Sequence, residues 1–377
     1  MAPERGHPLT KENHEPEQES IPSRARHALI GAKRNIADPS LFHKIALIPV
    51  LAWIGLGADG LSSSSYGPPE AYTALTSHTY LAIFLALATA ITVFVISYAY
   101  TRIIEHFPGG GGGYIVATST ISEKAGVVSG AALLVDYVLT ITVSIAACAA
   151  AIFSFVPPEF QRFRLVFAVF LVLLLIILNL RGVKESVMIL TPIFLLFIVT
   201  HALLLGYGIF SHSSGIGAVS SGIQENLATD LATIGLIGIL AIFFRAYSLG
   251  AGTYTGIEAV ANGLQIMREP KVQTGKRTMG YMAFSLAIVA GGLFLCYLLW
   301  NVAPVPGKTL NAVLADLVFS GWALGGLLAF ITILAEGLLL MVAAQTGFID
   351  GPRVMANMAI DSWFPRRFAS LSERLTM

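Results

Sequence analysis

The run from about residue 45 to about residue 76 is apolar enough to cross a bilayer, yet its middle reads Gly55-Leu-Gly-Ala-Asp-Gly-Leu-Ser-Ser-Ser-Ser-Tyr-Gly-Pro-Pro-Glu70. Four glycines and two prolines in sixteen residues strip helical propensity from the centre of the run. In lipid, non-helical backbone is tolerated only where protein buries it or where it lines a cavity. The break is therefore a candidate binding site, and Asp59, Ser62 to Ser65 and Tyr66 supply it with a carboxylate, hydroxyls and a phenol.

The rest of the chain has the composition of a polytopic membrane protein. Of its 377 residues 55% are hydrophobic and only 12% charged, against about a quarter charged in soluble domains. Mean hydropathy is +0.74. Net charge is +1, with the charges gathered at the ends and in short connectors, and nothing points to nucleic acid. Cys148 and Cys296 each sit in an apolar run and read as small buried hydrophobes, not as a disulfide or metal pair.

Eight stretches reach the roughly 20 apolar residues that a spanning helix needs. Their approximate limits are 45–76, 80–104, 126–156, 163–180, 187–211, 232–267, 278–303 and 321–346. The expected organisation is a cytosolic leader over 1–44, a transmembrane domain over 45–346 and a basic, amphipathic cytosolic segment over 347–377. Within the leader, Arg24 to Phe42 is either a headgroup-bound amphipathic segment or a solvated tail.

The sixth stretch is also long and glycine-interrupted, with Gly250, Gly252 and Gly256 spaced through its centre. Interruptions in spans one and six are what a repeat of five spans produces. An odd repeat length inverts the second copy, and paired broken spans are the best sequence pointer to a transporter site. Only three spans of the second repeat are present, which favours a truncated sequence.

Lys and Arg in short connectors set the orientation. With the leader inside, the cytosolic connectors carry Lys124, Arg181, Lys184, Arg268, Lys271, Lys276, Arg277, Arg353, Arg366, Arg367 and Arg374, whereas the opposite face has Arg162, Arg164 and Lys308. Both ends are expected on the cytosolic side of the cell (inner) membrane.

Ionisable groups inside spans cost about 2.5–3.5 kcal/mol each on insertion scales and are functional candidates. Here they are Asp59, Asp136, Arg245, Glu258 and Glu336. Asp136, Thr140 and Ser144 fall at i, i+4 and i+8, one polar stripe on an apolar helix with Tyr137 bordering it. Hydroxyls bonding back to their own helix would be the structural alternative, but a carboxylate on the same stripe favours a cavity wall. Glu258, beside Thr255 just past the second break, is placed to carry a proton or to serve as a neutral structural carboxyl. Arg245 either pairs with a carboxylate or snorkels to the surface. An anion at the break, ringed by carbonyl, hydroxyl and phenol oxygens, suits a desolvated monovalent cation better than a carboxylate ligand. Asp59 could equally face an amine or act as a hydrogen-bond hub. The run Pro108-Gly-Gly-Gly-Gly-Gly-Tyr114 lacks the Lys-Ser/Thr and the preceding strand of a phosphate loop and reads as a flexible entry to a short connector segment. No cofactor and no enzymatic chemistry are expected.

These motifs resemble the amino acid–polyamine–organocation (APC) superfamily, an all-α, LeuT-like inverted-repeat bundle, and within it the KimA-like branch of potassium importers. The residues that carry the likeness are Gly57-Ala-Asp-Gly-Leu-Ser-Ser-Ser-Ser-Tyr-Gly-Pro68, Pro108 to Tyr114, Val135-Asp-Tyr-Val-Leu-Thr140, Thr253-Tyr-Thr-Gly-Ile-Glu-Ala-Val-Ala-Asn262 and Gln345 to Pro365. The resemblance implies proton-coupled potassium uptake and a homodimer. It places the cation site on Asp59, Tyr66, Asp136, Tyr137, Thr140, Ser144, Thr255 and Glu258, to which Ser65 of the first break is added as a candidate ion-binding residue. Potassium would be held by Asp59, Tyr66, Thr140 and Ser144, with Glu258 or Asp136 exchanging the proton. An amino-acid or polyamine permease of the same fold is the second expectation, and a non-transporting membrane sensor or scaffold the third. The family's ninth to twelfth spans and cytosolic regulatory domain have no counterpart in these 377 residues.

Overall fold

The computed structural model describes residues 47–110, 112–180 and 187–369. The leader, Arg181, Lys184 and Arg374 lie outside the described residues. Seven helical stretches among the described residues are long and apolar enough to cross a membrane. The eighth crossing, span one, is divided, so neither of its halves reaches that length alone. Its halves are α1 (Pro49–Ser62) and α2 (Gly67–Ala74), joined by a 3₁₀ turn over Ser63–Ser65. Pro49 sits in the first turn of α1, where a missing N–H costs no bond.

Span two is α3 (Ala82–His106), followed by the connector helix α4 (Gly112–Thr120). Span three is α5 (Glu123–Phe153), started by Ser122 accepting the Ala125 amide at 3.2 Å. Spans four and five are α6 (Arg164–Leu180) and α7 (Val187–Ser211), and the connector helix α8 (Ile216–Thr233) follows. Span six begins as α9 (Gly235–Leu249), breaks into a 3₁₀ segment over Gly250–Tyr254, and resumes as the single turn α10 (Ala259–Asn262). Span seven is α11 (Lys271–Leu299), then comes the connector helix α12 (Leu310–Phe319), and span eight is α13 (Gly325–Ile360).

The helices alternate in direction, so the bundle has a near face, holding residue 47 and the connector after span two, and a far face. Span eight packs most extensively on span three and span seven on span two, while the halves of spans one and six cross. Each contact pairs a span with the one five places later, as a five-span repeat folded on itself requires. Of the apolar windows, 61% is buried in span seven and 56% in span eight, against 11% in span four. Spans seven and eight are therefore central, whereas span four presents most of its surface outward. Cys148 and Cys296 are both buried free thiols, as their surroundings lead one to expect.

Two expected limits are corrected. The first break is far shorter than Gly55 to Glu70, because α1 stays helical through Ser62. Ser62, Ser63 and Ser64 donate to the carbonyls of Asp59, Gly60 and Leu61, three residues back, at 2.7, 2.5 and 2.7 Å. Those bonds saturate the carbonyls that the glycines and prolines would otherwise leave bare. Span eight runs past residue 346 to Ile360 with Pro352 inside it. Gly347, Asp350, Gly351 and Pro352 look like a stop, but Gly347 lies so close to span three that a Cβ there would meet the Tyr137 carbonyl at 3.0 Å. Packing against α5 outweighs the local breaking tendency.

Both faces are stitched across the bundle. At the near face, Leu47 pairs with the chain leaving span six, its amide bonding the Ile266 carbonyl at 3.0 Å and its carbonyl accepting the Arg268 amide at 2.9 Å. Lys276 donates to Glu105 at 2.5 Å, and Tyr114 donates to Asp361 at 2.6 Å. At the far face, Asp230 of α8 accepts from Tyr80 at 2.7 Å and meets His78 Nδ1 at 2.5 Å. Those partners, Tyr80 first and His78 after it, hold the Asp230 carboxyl below its ordinary range against the opposing effect of burial. A depressed carboxylate pKa adds stability that is complete above the unfolded value and is lost as pH falls through the folded one. Hydrogen exchange over residues 216–233 should accelerate on acidification in wild type after correction for intrinsic rates, and Asp230→Asn should abolish that acid dependence.

Candidate functional site

The two breaks meet at the centre of the bundle, and glycine makes the meeting possible. A Cβ on Gly67 would overlap the Thr253 side chain and lie 2.6 Å from its amide nitrogen. Gly256 has φ +82°, and a Cβ there would fall 2.7 Å from the carboxyl carbon of Asp59. Only a hydrogen at these positions lets the two irregular backbones touch. A hydroxyl then joins them, since Ser63 Oγ is shared between Gly60 and the Thr253 carbonyl, 2.6 Å away on span six.

Tyr66 forms the second link, with its phenol 2.6 Å from Thr255 Oγ1. Thr255 places its own proton on the Gly252 carbonyl at 2.8 Å, so Tyr66 is the donor and Thr255 the acceptor. Asp59 is buried on the last turns of α1. Asp59, Asp136 and Glu258 all act electrostatically on the Tyr66 phenol. Glu258 lies at the point where span six resumes its helix, directly before Ala259.

Span three supplies the opposite wall. Thr140 and Ser144 are buried, Ser144 completely, while Asp136 is half-buried one turn nearer the leader side. Tyr137 is buried and its hydroxyl accepts from Asn262 Nδ2 at 3.1 Å, which ties span three to the resumed turn of span six. Among the described residues, three hydroxyls are buried without a hydrogen-bond partner, those of Ser65, Ser144 and, on span two, Ser97. Buried polar atoms are normally satisfied, and an unpaired one costs about 1–3 kcal/mol. Two of these hydroxyls lie on the segments that also carry the carboxyls of Asp59 and Asp136, Ser65 between the halves of span one and Ser144 on span three.

The structure thus gathers Asp59, Tyr66, Thr255 and Glu258 at the crossing and sets Asp136, Tyr137, Thr140 and Ser144 along the facing helix. Arg245 is exposed and stands apart from this group. Asp350 is an addition that sequence reasoning missed. It is buried near the near-face end of span eight, is bonded by Arg353 at 3.1 Å, and acts electrostatically on Tyr137 and Glu258. The continuing apolar period beyond residue 346 was the signal for it. Asn262 is the other omission. Its Oδ1 is buried and unpaired, and a Cβ on Gly112 of the glycine run would lie 2.6 Å from it. Gln265 donates to the Gly109 carbonyl at 2.9 Å, so the run Pro108 to Tyr114 docks on the near-face end of span six.

The serines separate structural from binding roles. Ser63→Ala should lower the thermal unfolding midpoint of detergent-purified protein, because it removes a buried bond across the breaks worth about 1 kcal/mol. Ser144→Ala, which removes no bond within the protein, should leave that midpoint unchanged or raise it.

Comparison with known proteins now gives the site a context. Residues 52–376 match the family model described as Amino acid permease. The chain is 33% identical over 324 residues to the Potassium transporter KimA of Bacillus subtilis (strain 168), a match covering 85% of this chain and 52% of that relative. It is 25% identical over 291 residues to the Low-affinity putrescine importer PlaP of Escherichia coli (strain K12), covering 74% of this chain and 59% of the relative. The chain therefore spans between half and three-fifths of the curated relatives it matches. With two interrupted spans crossing inside a helical bundle and a family match over most of its length, this chain belongs to the amino acid permease family of the APC superfamily.

Proposed function

We propose that this chain is the transport core of a secondary active transporter that takes up potassium together with protons by alternating access. The observation that carries the reading is that two of the three orphaned buried hydroxyls, Ser65 and Ser144, lie on the segments of spans one and three that bear Asp59 and Asp136. A partly dehydrated monovalent cation satisfies such hydroxyls and offsets the Asp59 charge at once. A ligand presenting a carboxylate would meet three acidic side chains, Asp59, Asp136 and Glu258, and the repulsion disfavours it. The relative at 33% identity is named for potassium transport, which supports the same reading.

In this scheme Asp59, Tyr66, Thr140 and Ser144 supply oxygens to the ion, and Thr255, through its bond to Tyr66, keeps the phenol oxygen turned towards it. Glu258 or Asp136 exchanges the proton, each being a carboxyl on a segment that forms the site, able to pass between its neutral and ionised forms. Spans one and six rock as a unit against spans three and eight. The Tyr137–Asn262 bond and the docked glycine run form the seal that must open towards the near face. The reading includes a cell (inner) membrane location, a cytoplasmic near face with both termini on it, and a homodimer embedded in the lipid bilayer.

A second reading, a polyamine or amino-acid permease, is favoured by the likeness to a putrescine importer. A polyamine is also a cation and would use the same carboxylates. Expression of the gene in a host lacking its own potassium uptake separates the readings. Rubidium entry should be restored by wild type and fall by at least tenfold with Asp59→Asn at equal membrane insertion. Uptake unchanged by Asp59→Asn, or rubidium entry abolished by competing putrescine, would overturn the potassium assignment.

A further inference from the structure

On the far face, a cavity of about 450 Å³ opens where the connector between spans three and four meets the connector that follows span seven. Arg162, Arg164, Gln161 and Leu165 line one side of it, and Pro306 and Gly307 the other. Both lips are pinned to the end of span three. Gln161 donates from Nε2 to the Phe153 carbonyl at 2.7 Å and to the Val156 carbonyl at 3.3 Å. On the other lip, the Thr309 amide donates to Ser154 Oγ at 2.9 Å. Gly307 has φ +82°, and a Cβ there would lie 3.6 Å from Gln161 Nε2, so the two lips come close to each other at the floor of the cavity.

The charges around this cavity are unbalanced. The far-face connectors and the span ends beside them carry three Lys or Arg residues, Arg162, Arg164 and Lys308. Lys308 is compensated by Asp316 at 2.5 Å. Among the described residues neither arginine has a carboxylate at ion-pair distance. Glu159, three residues before Arg162, is exposed and lies outside the lining. The Arg162 guanidinium lies instead over the Phe163 ring, 4.9 Å from its centroid. Arg164 opens α6, whose first turn holds no acidic residue. A helix N-terminus is the positive end of the helix dipole, where anions are favoured and cations are not. Two guanidinium groups and a helix dipole therefore concentrate positive charge in one small volume, and an anion there offsets all three.

The surroundings identify the source of the anion. Leu165, Val169 and Leu173 follow Arg164 at i, i+4 and i+8 and are each more than half exposed. They form an apolar strip about 12 Å long that runs from the cavity down the outward side of span four. That length approaches the roughly 15 Å hydrocarbon depth of one leaflet. We propose that the cavity binds the phosphate of an anionic phospholipid of the far-face leaflet, with Arg162 and Arg164 on the phosphate and an acyl chain along Leu165, Val169 and Leu173. Guanidinium forks pair with phosphate oxygens in bidentate geometry. A zwitterionic headgroup brings its own cation, and the lining offers no carboxylate to receive it. Free phosphate shares the headgroup chemistry but leaves the apolar strip uncovered. The bound headgroup bridges the two lips, and so ties the connector of spans three and four to the one that leads into α12.

The inference does not depend on which cargo is carried. The full chain is reconstituted in phosphatidylcholine vesicles doped with a probe lipid, phosphatidylglycerol or phosphatidylcholine, that bears a photoactivatable group on an acyl chain, and cross-links are mapped by peptide mass spectrometry. In wild type the phosphatidylglycerol probe should label residues 165–173 about tenfold more than the phosphatidylcholine probe, the equivalent of one hydrogen bond to a charged group. Arg162→Gln combined with Arg164→Gln should lower that labelling to the phosphatidylcholine level. Lys124→Gln combined with Arg366→Gln, an equal loss of charge at the near face, should leave it unchanged, and millimolar inorganic phosphate should not compete. Equal labelling by the two probes in wild type overturns the proposal whether or not the variants fold. So does labelling that survives the double arginine change, labelling that the near-face variant loses equally, or labelling suppressed by inorganic phosphate, which would assign the cavity to a soluble phosphate.

Discussion

The whole arrangement depends on one constraint, that backbone polar groups removed from helices at membrane depth must find partners inside the protein. Here they are found locally and across the crossing. Locally, three consecutive serines fold back on carbonyls three residues earlier. Across the crossing, Ser63 reaches the Thr253 carbonyl and Tyr66 reaches Thr255. Each break is therefore part of the other's solution. Neither span one nor span six could be irregular alone, which accounts for irregularity appearing in both at the position that a five-span repeat dictates.

Satisfaction is deliberately incomplete. The same stretch that pairs Ser62, Ser63 and Ser64 leaves Ser65 without a partner, and the facing helix leaves Ser144 likewise. A chain able to saturate three hydroxyls in a row has the means to saturate the next two. Each unpaired hydroxyl costs about 1–3 kcal/mol of stability.

The features that follow from long-range composition were legible in the chain. Twenty-residue apolar runs announce spans whatever surrounds them, and glycine interruptions in spans one and six announce the crossing. The stripe Asp136, Thr140, Ser144 was legible because helical spacing alone places it on one face. What escaped was whatever depended on a partner distant in sequence. Serine back-bonding shortens the first break, and no propensity argument weighs a hydroxyl against a carbonyl three residues away in lipid. Gly347, Asp350, Gly351 and Pro352 look like a terminator until Tyr137 packs against Gly347 and Gly351, so from sequence Asp350 reads as part of the basic, amphipathic cytosolic segment. His201, isolated among Ile198, Val199, Leu203 and Leu204, carries no local sign that Glu336 of span eight will stand 3.7 Å from its ring.

The short backbone pairing at the near face has a mechanical consequence. Leu47 exchanges two amide hydrogen bonds with residues 266 and 268 just before α1 begins, so the entrance to one broken span is welded to the exit of the other. A pull or twist applied through the residues preceding Leu47 is delivered to both spans together, as a crank drives a shaft held at two bearings. Tension at Leu47 therefore acts on both broken spans together and does not shear the crossing.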